Sequence, residues 1–265
     1  MKYFDAHCHI QFPQYADDVH EVLGQMKDRE IGGLVVGVDQ VSSEKAIQCA
    51  TDAIGIVPLY AAVGLHPNHA DETFDESIFE ALARHEKTVA IGECGLDYYR
   101  PDDAESVKGL QKAVFEKHIL LAVETGKPLM IHARPTKGTM NAYQDLIDML
   151  RDAKRMHGEK LSGNVHFFVG GIEEARALVE LDFTMSYTAV LTFTADYDEV
   201  VRYLPLTHIL SETDSPYIAP AENRGRRNDP LAVEAVVGAL ARIRESDPEQ
   251  IREAVLLNAK RLFKL

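Results

Sequence analysis

Eight short apolar runs alternate with segments of helical periodicity along this chain, and that alternation leaves few folds open. The runs fall at 4–10, 34–38, 57–63, 88–93, 127–132, 163–168, 183–187 and 208–214. Leu34-Val35-Val36-Gly37-Val38 is apolar almost without interruption, the pattern of a strand buried on both faces of a parallel sheet. Helices are predicted around 16–30, 43–53, 74–85, 104–125, 139–156, 172–180 and 195–203. Val19, Val22, Leu23 and Met26 mark the stripe of the first, and Val107, Leu110, Val114 and Leu121 that of the fourth. Two further helices close the chain, one near 231–245 and one opening at Asp247-Pro248, a cap followed by proline in the first turn. Strands alternating with helices imply a parallel sheet. Eight such units in 265 residues favour a closed (β/α)8 TIM barrel, one α/β domain spanning 1–265.

With 46% hydrophobic residues the chain can bury a large core, and no apolar run reaches membrane-spanning length. The first residues lack the basic-then-apolar pattern of a signal peptide, and three cysteines without paired spacing argue against a disulfide framework. Both features point to the cytoplasm. A net charge of −14 argues against general affinity for nucleic acid, so a polyanionic substrate would have to be drawn in by a local positive feature.

In a barrel of this kind function sits at the C-terminal ends of the strands. His7 and His9 lie there on the first strand, where alternation points both to one face and Cys8 to the other. Glu93, His132, His166 and Asp214 end later strands, and His66 follows another in Gly64-Leu65-His66-Pro67. Glu93 ends an apolar strand, where an unpaired carboxylate is costly to bury and a cation would offset it. Glu212 shares a strand face with Asp214 but lies deeper, as a candidate structural ion-pair partner. His20, His85, His118 and His157 fall in helical contexts and are expected at the surface, while His208 opens a strand and belongs to the opposite end of the barrel. Four histidines and two carboxylates, with His66 as a fifth histidine, are too many ligands for one tetrahedral ion. They suit two divalent cations bridged by a shared carboxylate, with Zn, Mn, Mg, Fe and Co all open. Cys8 and Cys94 are expected to be small buried hydrophobes rather than ligands.

Phe4-Asp5-Ala6-His7-Cys8-His9, Gly64-Leu65-His66-Pro67 and Ile91-Gly92-Glu93-Cys94-Gly95-Leu96-Asp97-Tyr98-Tyr99 together resemble the TatD family of metal-dependent deoxyribonucleases. The likeness continues in order through Ile131-His132-Ala133-Arg134, Val165-His166-Phe167 and Glu212-Thr213-Asp214-Ser215-Pro216-Tyr217. It ends with Arg224-Gly225-Arg226-Arg227-Asn228 and Asn258-Ala259-Lys260-Arg261-Leu262-Phe263, and so spans residues 4 to 263.

The resemblance implies an amidohydrolase-type TIM barrel with two divalent metal ions (Mg, Mn or Zn). By position His7, His9, Glu93 and Asp214 would hold one metal, and Glu93 would bridge to a second held by His132 and His166. It implies hydrolysis of DNA, often from the 3′ ends of single strands, with Asp214 as ligand and proton acceptor and His66 at the rim. His66, Arg134 and the Arg224, Arg226 and Arg227 run are candidates to grip phosphates, arginine's planar fork being suited to that task. Tyr98, Tyr99 and Tyr217 are candidates to stack bases. No membrane and no obligate protein partner is expected. The sequence departs from the family pattern at Val169, where a hydroxyl is usual, and at Pro135, where an acidic residue is usual. An amidohydrolase or esterase acting on a small molecule or an aminoacylated nucleic acid is the alternative, because fold and metals do not determine the scissile bond.

Overall fold

Alternating apolar runs and helices become one barrel in the computed structural model, which describes residues 1–99 and 105–265. Its strands are β1 (Tyr3–Cys8), β2 (Ile31–Val36), β3 (Leu59–Val63), β4 (Thr88–Asp97), β5 (Leu129–Arg134), β6 (Gly163–Val165), β7 (Thr184–Tyr187) and β8 (Ile209–Ser211). Each pairs in parallel with the next, in sequence order. The seam between β8 and β1 is closed by loop and strand-end contacts. His9 N donates to Ser215 O at 2.7 Å, Asp214 N to His7 O at 2.9 Å, and the buried Asp5 carboxylate accepts from Thr213 N at 2.8 Å.

Between the strands run α1 (Val19–Asp28), α2 (Gln40–Asp52), α3 (Glu76–Ala83), α4 (Glu105–Thr125), α5 (Asn141–His157), α6 (Ile172–Glu180) and α7 (Asp198–Tyr203). The fourth helix was expected from 104, a position outside the described residues. After β8 come α8 (Val233–Ile243) and α9 (Pro248–Phe263). Asp247 caps α9 as its sequence suggests, accepting from Glu249 N and Gln250 N. Among the described residues no helix is long and apolar enough to cross a membrane.

Two apolar layers follow from strand alternation. Phe4, Ala6, Leu34, Val36, Ala62, Ala90, Met130 and Leu210 fill the barrel interior, and Leu256, Ala259 and Phe263 of α9 seal its N-terminal end. Val35, Ala61, Ile91, Ile131 and Val165 point outward to the helices.

The pairing is not uniform. Asp5 pairs with Gly33 and Cys8 with Val35, so three steps of β1 match two of β2. Likewise Ile91 pairs with Leu129 and Cys94 with Ile131, three steps of β4 against two of β5. Each bulge inverts the parity of its strand. Phe4 and Ala6 face inward, and simple alternation would send Cys8 inward after them; instead Cys8 lies in the outer layer and His7 turns in. In β4 the same device follows inward Ala90 with inward Glu93 and outward Cys94. Gly95, at φ +126°, lies so close to β5 that any Cβ would collide with the His132 carbonyl.

One expectation is overturned here. His118 on α4 is fully buried, not at the surface: its Nε2 accepts from Leu65 N at 2.9 Å and its Nδ1 donates to Val114 O at 2.8 Å. Both ring nitrogens are satisfied, which is what lets a polar ring sit in the outer core against Phe74. It anchors the backbone immediately before His66.

Burial pushes the His118 pKa down from 6.5 to about 4. The unfolded chain therefore takes up this proton first, and stability is full above about 6.5 and falls as the pH drops towards 4. The contribution is about 3 kcal/mol across that window. His118→Gln, which keeps an acceptor and a donor but does not titrate, should flatten the urea-unfolding stability profile between pH 6.5 and 4.5. Parallel profiles in wild type and variant would mean that the imidazole protonates freely in the folded state.

Candidate metal centre

β1, β4, β5, β6 and the turn after β8 deliver their strand-end side chains to one point at the C-terminal mouth of the barrel. Glu93 stands at its middle, 3% exposed. Its Oε2 lies 3.4 Å from His7 Nε2 and 3.9 Å from His9 Nε2. Its Oε1 lies 2.9 Å from His166 Nε2, 3.1 Å from His132 Nδ1 and 3.4 Å from His66 Nε2. Asp214 completes the first group, with Oδ1 at 3.5 Å from His9 Nε2 and 3.8 Å from His7 Nε2. The two oxygens of one carboxylate thus face two separate sets of ligands. All six expected metal-site residues, His7, His9, Glu93, His132, His166 and Asp214, come together.

The hydrogen-bond partners behind these rings decide which nitrogens are bare. His9 Nδ1 lies 2.8 Å from Val36 O, an acceptor only, so that nitrogen carries the proton and Nε2 presents a lone pair. His132 Nε2 lies 3.0 Å from Asp97 Oδ2, leaving Nδ1 bare towards Glu93. Bare nitrogens of His9 and His132 therefore converge with the carboxylates of Glu93 and Asp214. That arrangement fits divalent cations and is costly without them, since buried acceptors require a partner.

His66 differs in this respect. Its Nδ1 accepts from Asn68 N at 3.1 Å, so its Nε2 bears hydrogen and points into the centre as a donor. It sits at the rim of a cavity of about 870 Å³ whose floor is the ligand cluster. Burial raises the pKa of Glu93, but the surrounding His166, His66 and His7 outweigh it and hold the carboxyl well below the usual range. Burial likewise opposes ionisation of Asp214, and His9 with its neighbours overrides it, keeping that group below its ordinary value.

Two supporting carboxylates surround the cluster. The apolar run ends at 93 and hides Asp97 as a site residue, but β4 runs on to Asp97, and Glu93, Gly95 and Asp97 share one face. That two-residue spacing was the available signal. Glu212 is fully buried and lies 3.4 Å from His166 Nδ1, while its Oε1 accepts from Phe167 N at 2.7 Å. Phe167 adopts φ +43° just beyond the three-residue β6, so Glu212 braces the turn that presents His166.

The expected substrate contacts fare unevenly. Arg134 lines the cavity mouth, its guanidinium stacked 3.8 Å above the Tyr99 ring, and Tyr217 also lines the cavity. Tyr98 requires correction: its ring is 1% exposed and its hydroxyl donates to Asp145, so it packs the core and offers no face to a base. None of Arg224, Arg226 and Arg227 lines the central cavity. Arg227 is held by a bidentate pair with Asp18 and covers Tyr15, a structural role, and Arg224 lies over Phe193. Val169 lines the cavity wall, and Pro135 opens the loop beside it. His208 lies before β8, as expected, against Asp182.

The family model for "TatD related DNase" matches residues 4–264. A Bacillus subtilis (strain 168) protein described as uncharacterized metal-dependent hydrolase YabD is 35% identical, the match covering 99% of each chain. One of Mycobacterium tuberculosis (strain ATCC 25618 / H37Rv), described as uncharacterized metal-dependent hydrolase TatD, is 32% identical over 98% of this chain and 97% of that one. The crystal structure of YJJV, a TatD homolog from Escherichia coli K12, matches in fold with a TM-score of 0.85 at 24% identity, covering 100% of this chain and 98% of that chain.

Glu93→Gln should leave the fold intact and abolish the rise in melting temperature on adding divalent metal, because one face of the amide turns a donor towards bare acceptors. Turnover should fall by several kcal/mol of transition-state stabilisation. Metal-dependent stabilisation equal to wild type would remove Glu93 from the bridging position. Replacing Cys8 and Cys94 together by Ala should cost roughly 1 kcal/mol of stability each. Their thiols face the Leu34 and Met130 carbonyls in the outer layer, so metal stoichiometry by elemental analysis should not change. A lost metal equivalent would place a thiol in the centre.

Proposed function

The chain belongs to the TatD-related DNase family of metal-dependent hydrolases, and from that premise we propose that it hydrolyses phosphodiester bonds of DNA. The observation that carries this reading is Glu93, with its two oxygens turned to two ligand sets at the floor of a cavity whose mouth holds Arg134. His7, His9, Asp214 and Glu93 Oε2 would hold one divalent cation, and Glu93 Oε1, His132 and His166 a second, with Mg, Mn or Zn compatible with these donors. Cations in such a pair supply Lewis acidity, lowering the pKa of water towards about 7 and offsetting charge on the phosphoryl oxygens.

The protein's own groups divide the remaining work. Asp214, ionised at neutral pH, takes the proton from the attacking water. Its backbone N–H, bonded to His7 O, orients it towards the centre. His66 Nε2–H donates to a non-bridging phosphoryl oxygen, a role its tautomer suits. Asp97 holds His132 and Glu212 holds His166, so neither ring turns as charge develops. With a net charge of −14 the surface does not attract a duplex, and binding is left to the cavity. That favours single strands over duplex as substrate, and the family resemblance adds a preference for their 3′ ends.

A panel of labelled single-stranded DNA, RNA, aminoacyl esters and amides, each with Mg, Mn or Zn and with chelator, tests the reading. DNA should be cleaved with metal and left intact with chelator. Ester or amide hydrolysis with DNA untouched would transfer the same centre to carboxyl chemistry.

A further inference from the structure

Beside the central cavity lies a second hollow of about 710 Å³, formed by the β5–α5 loop and its surroundings. It shares Arg134 and Val169 with the central cavity, so the two adjoin. Resting on the phosphodiester reading above, we propose that this groove is a binding site for the nucleotide next to the scissile bond, with Lys137 receiving its phosphate.

Position comes first. Arg134 follows His132 by two residues on β5, so the two side chains leave the same face of the sheet, about 7 Å apart along the strand. A chain whose scissile phosphate lies at the centre meets Arg134 one step outward. Arg134 rests its planar face on Tyr99, a contact that uses the ring face of the guanidinium and not the N–H edges that bind an anion. From there the groove runs along the loop to Lys137, exposed beside Gly138, whose φ of +79° allows the tight turn.

The chemistry of the walls matches a nucleotide. Tyr99 and Tyr197 supply aromatic surface and Val169 an apolar patch, while Gln144 on α5 offers an amide. Val169 makes this wall apolar where a hydroxyl would make it polar, and Pro135 follows Arg134 in the chain where an acidic residue would add negative charge. Among the described residues Glu174 is the acidic group of the groove. Its carboxylate caps α6 by accepting from Gly171 N at 2.9 Å, which directs the phosphate to the opposite, Arg134 and Lys137 side. In a chain of net charge −14, two cations along one groove leading out of a hydrolytic centre form a local path for a polyanion.

The inference is tested on the full chain with fluorescent thymidine dinucleotide and tetranucleotide carrying phosphorothioate linkages, with binding read by anisotropy. Wild type should bind the tetranucleotide at least tenfold more tightly than the dinucleotide. Lys137→Glu, and independently Gln144→Trp, which fills the groove from α5, should bring that ratio to within twofold. Lys137→Ala should reduce the log–log salt slope for the tetranucleotide by about 0.7. Equal wild-type affinities for the two lengths, or a ratio that neither variant moves, would overturn the assignment. Hydrolysis of bis(p-nitrophenyl) phosphate is measured in parallel. Its absence, with DNA also uncut, would defeat the phosphodiesterase reading, whereas an intact length preference would still establish the groove as a nucleotide site.

Discussion

A carboxylate buried among imidazoles that cannot all donate to it is the constraint around which this barrel is built. Glu93 meets four histidines within 3.4 Å, and the partners behind His9 and His132 commit their protons away from the centre. Packing alone would not select such a floor, since apolar residues of equal volume would avoid the desolvation cost. Cations offset the cost. The centre is therefore functional in origin, and the surrounding structure holds acceptors together that otherwise repel.

Two bulges are how the strands meet that demand. The barrel interior is apolar on one side, filled by Phe4, Ala6, Ala90 and Met130, and carries the buried hydrogen-bonded pair Asn164 and Ser186 on the other. Continuing the same parity would carry Cys8 inward and His7 outward. One extra residue in β1 and one in β4 invert the alternation where the interior changes from core to site. The thiols then join the helical layer, and the histidine and the carboxylate take the inward positions above Ala6 and Ala90.

How much of this was legible depends on what each signal measured. The alternation of strands and helices reads directly from hydrophobic periodicity, and the ligands were found because a histidine or carboxylate ending an apolar run is conspicuous. The parity argument for His7 and His9 reached the right face, but it holds only locally: it does not see the bulge that makes that face the interior. Asp97 was passed over because β4 outlasts its apolar segment. His118 was misplaced because a polar residue in a helix reads as exposed unless both ring nitrogens are known to be satisfied. Tyr98 and Arg227 show the complementary limit. Proximity in sequence to a ligand or an arginine run says nothing of burial, and Asp145 and Asp18, distant in sequence, decide their roles.

The two halves of the centre differ in their dependence on the fold. His132 and His166 stand on the neighbouring strands β5 and β6, while His7, His9 and Asp214 lie across the seam where the last strand returns to the first. The seam rests on few polar contacts, among them Asp5 to Thr213, Ser211 Oγ to Phe4 O, the bridge between Cys8 and Ser215, and the bond from Asp214 N to His7 O. A ligand that binds only the closed arrangement adds its binding free energy to closure. A cation held by His7, His9 and Asp214 would thus act as a fastener for the barrel, whereas one held by His132 and His166 would stabilise only strands that already pair. Glu93 touches both, so a cation in either half would be linked through one side chain to the closure of the fold.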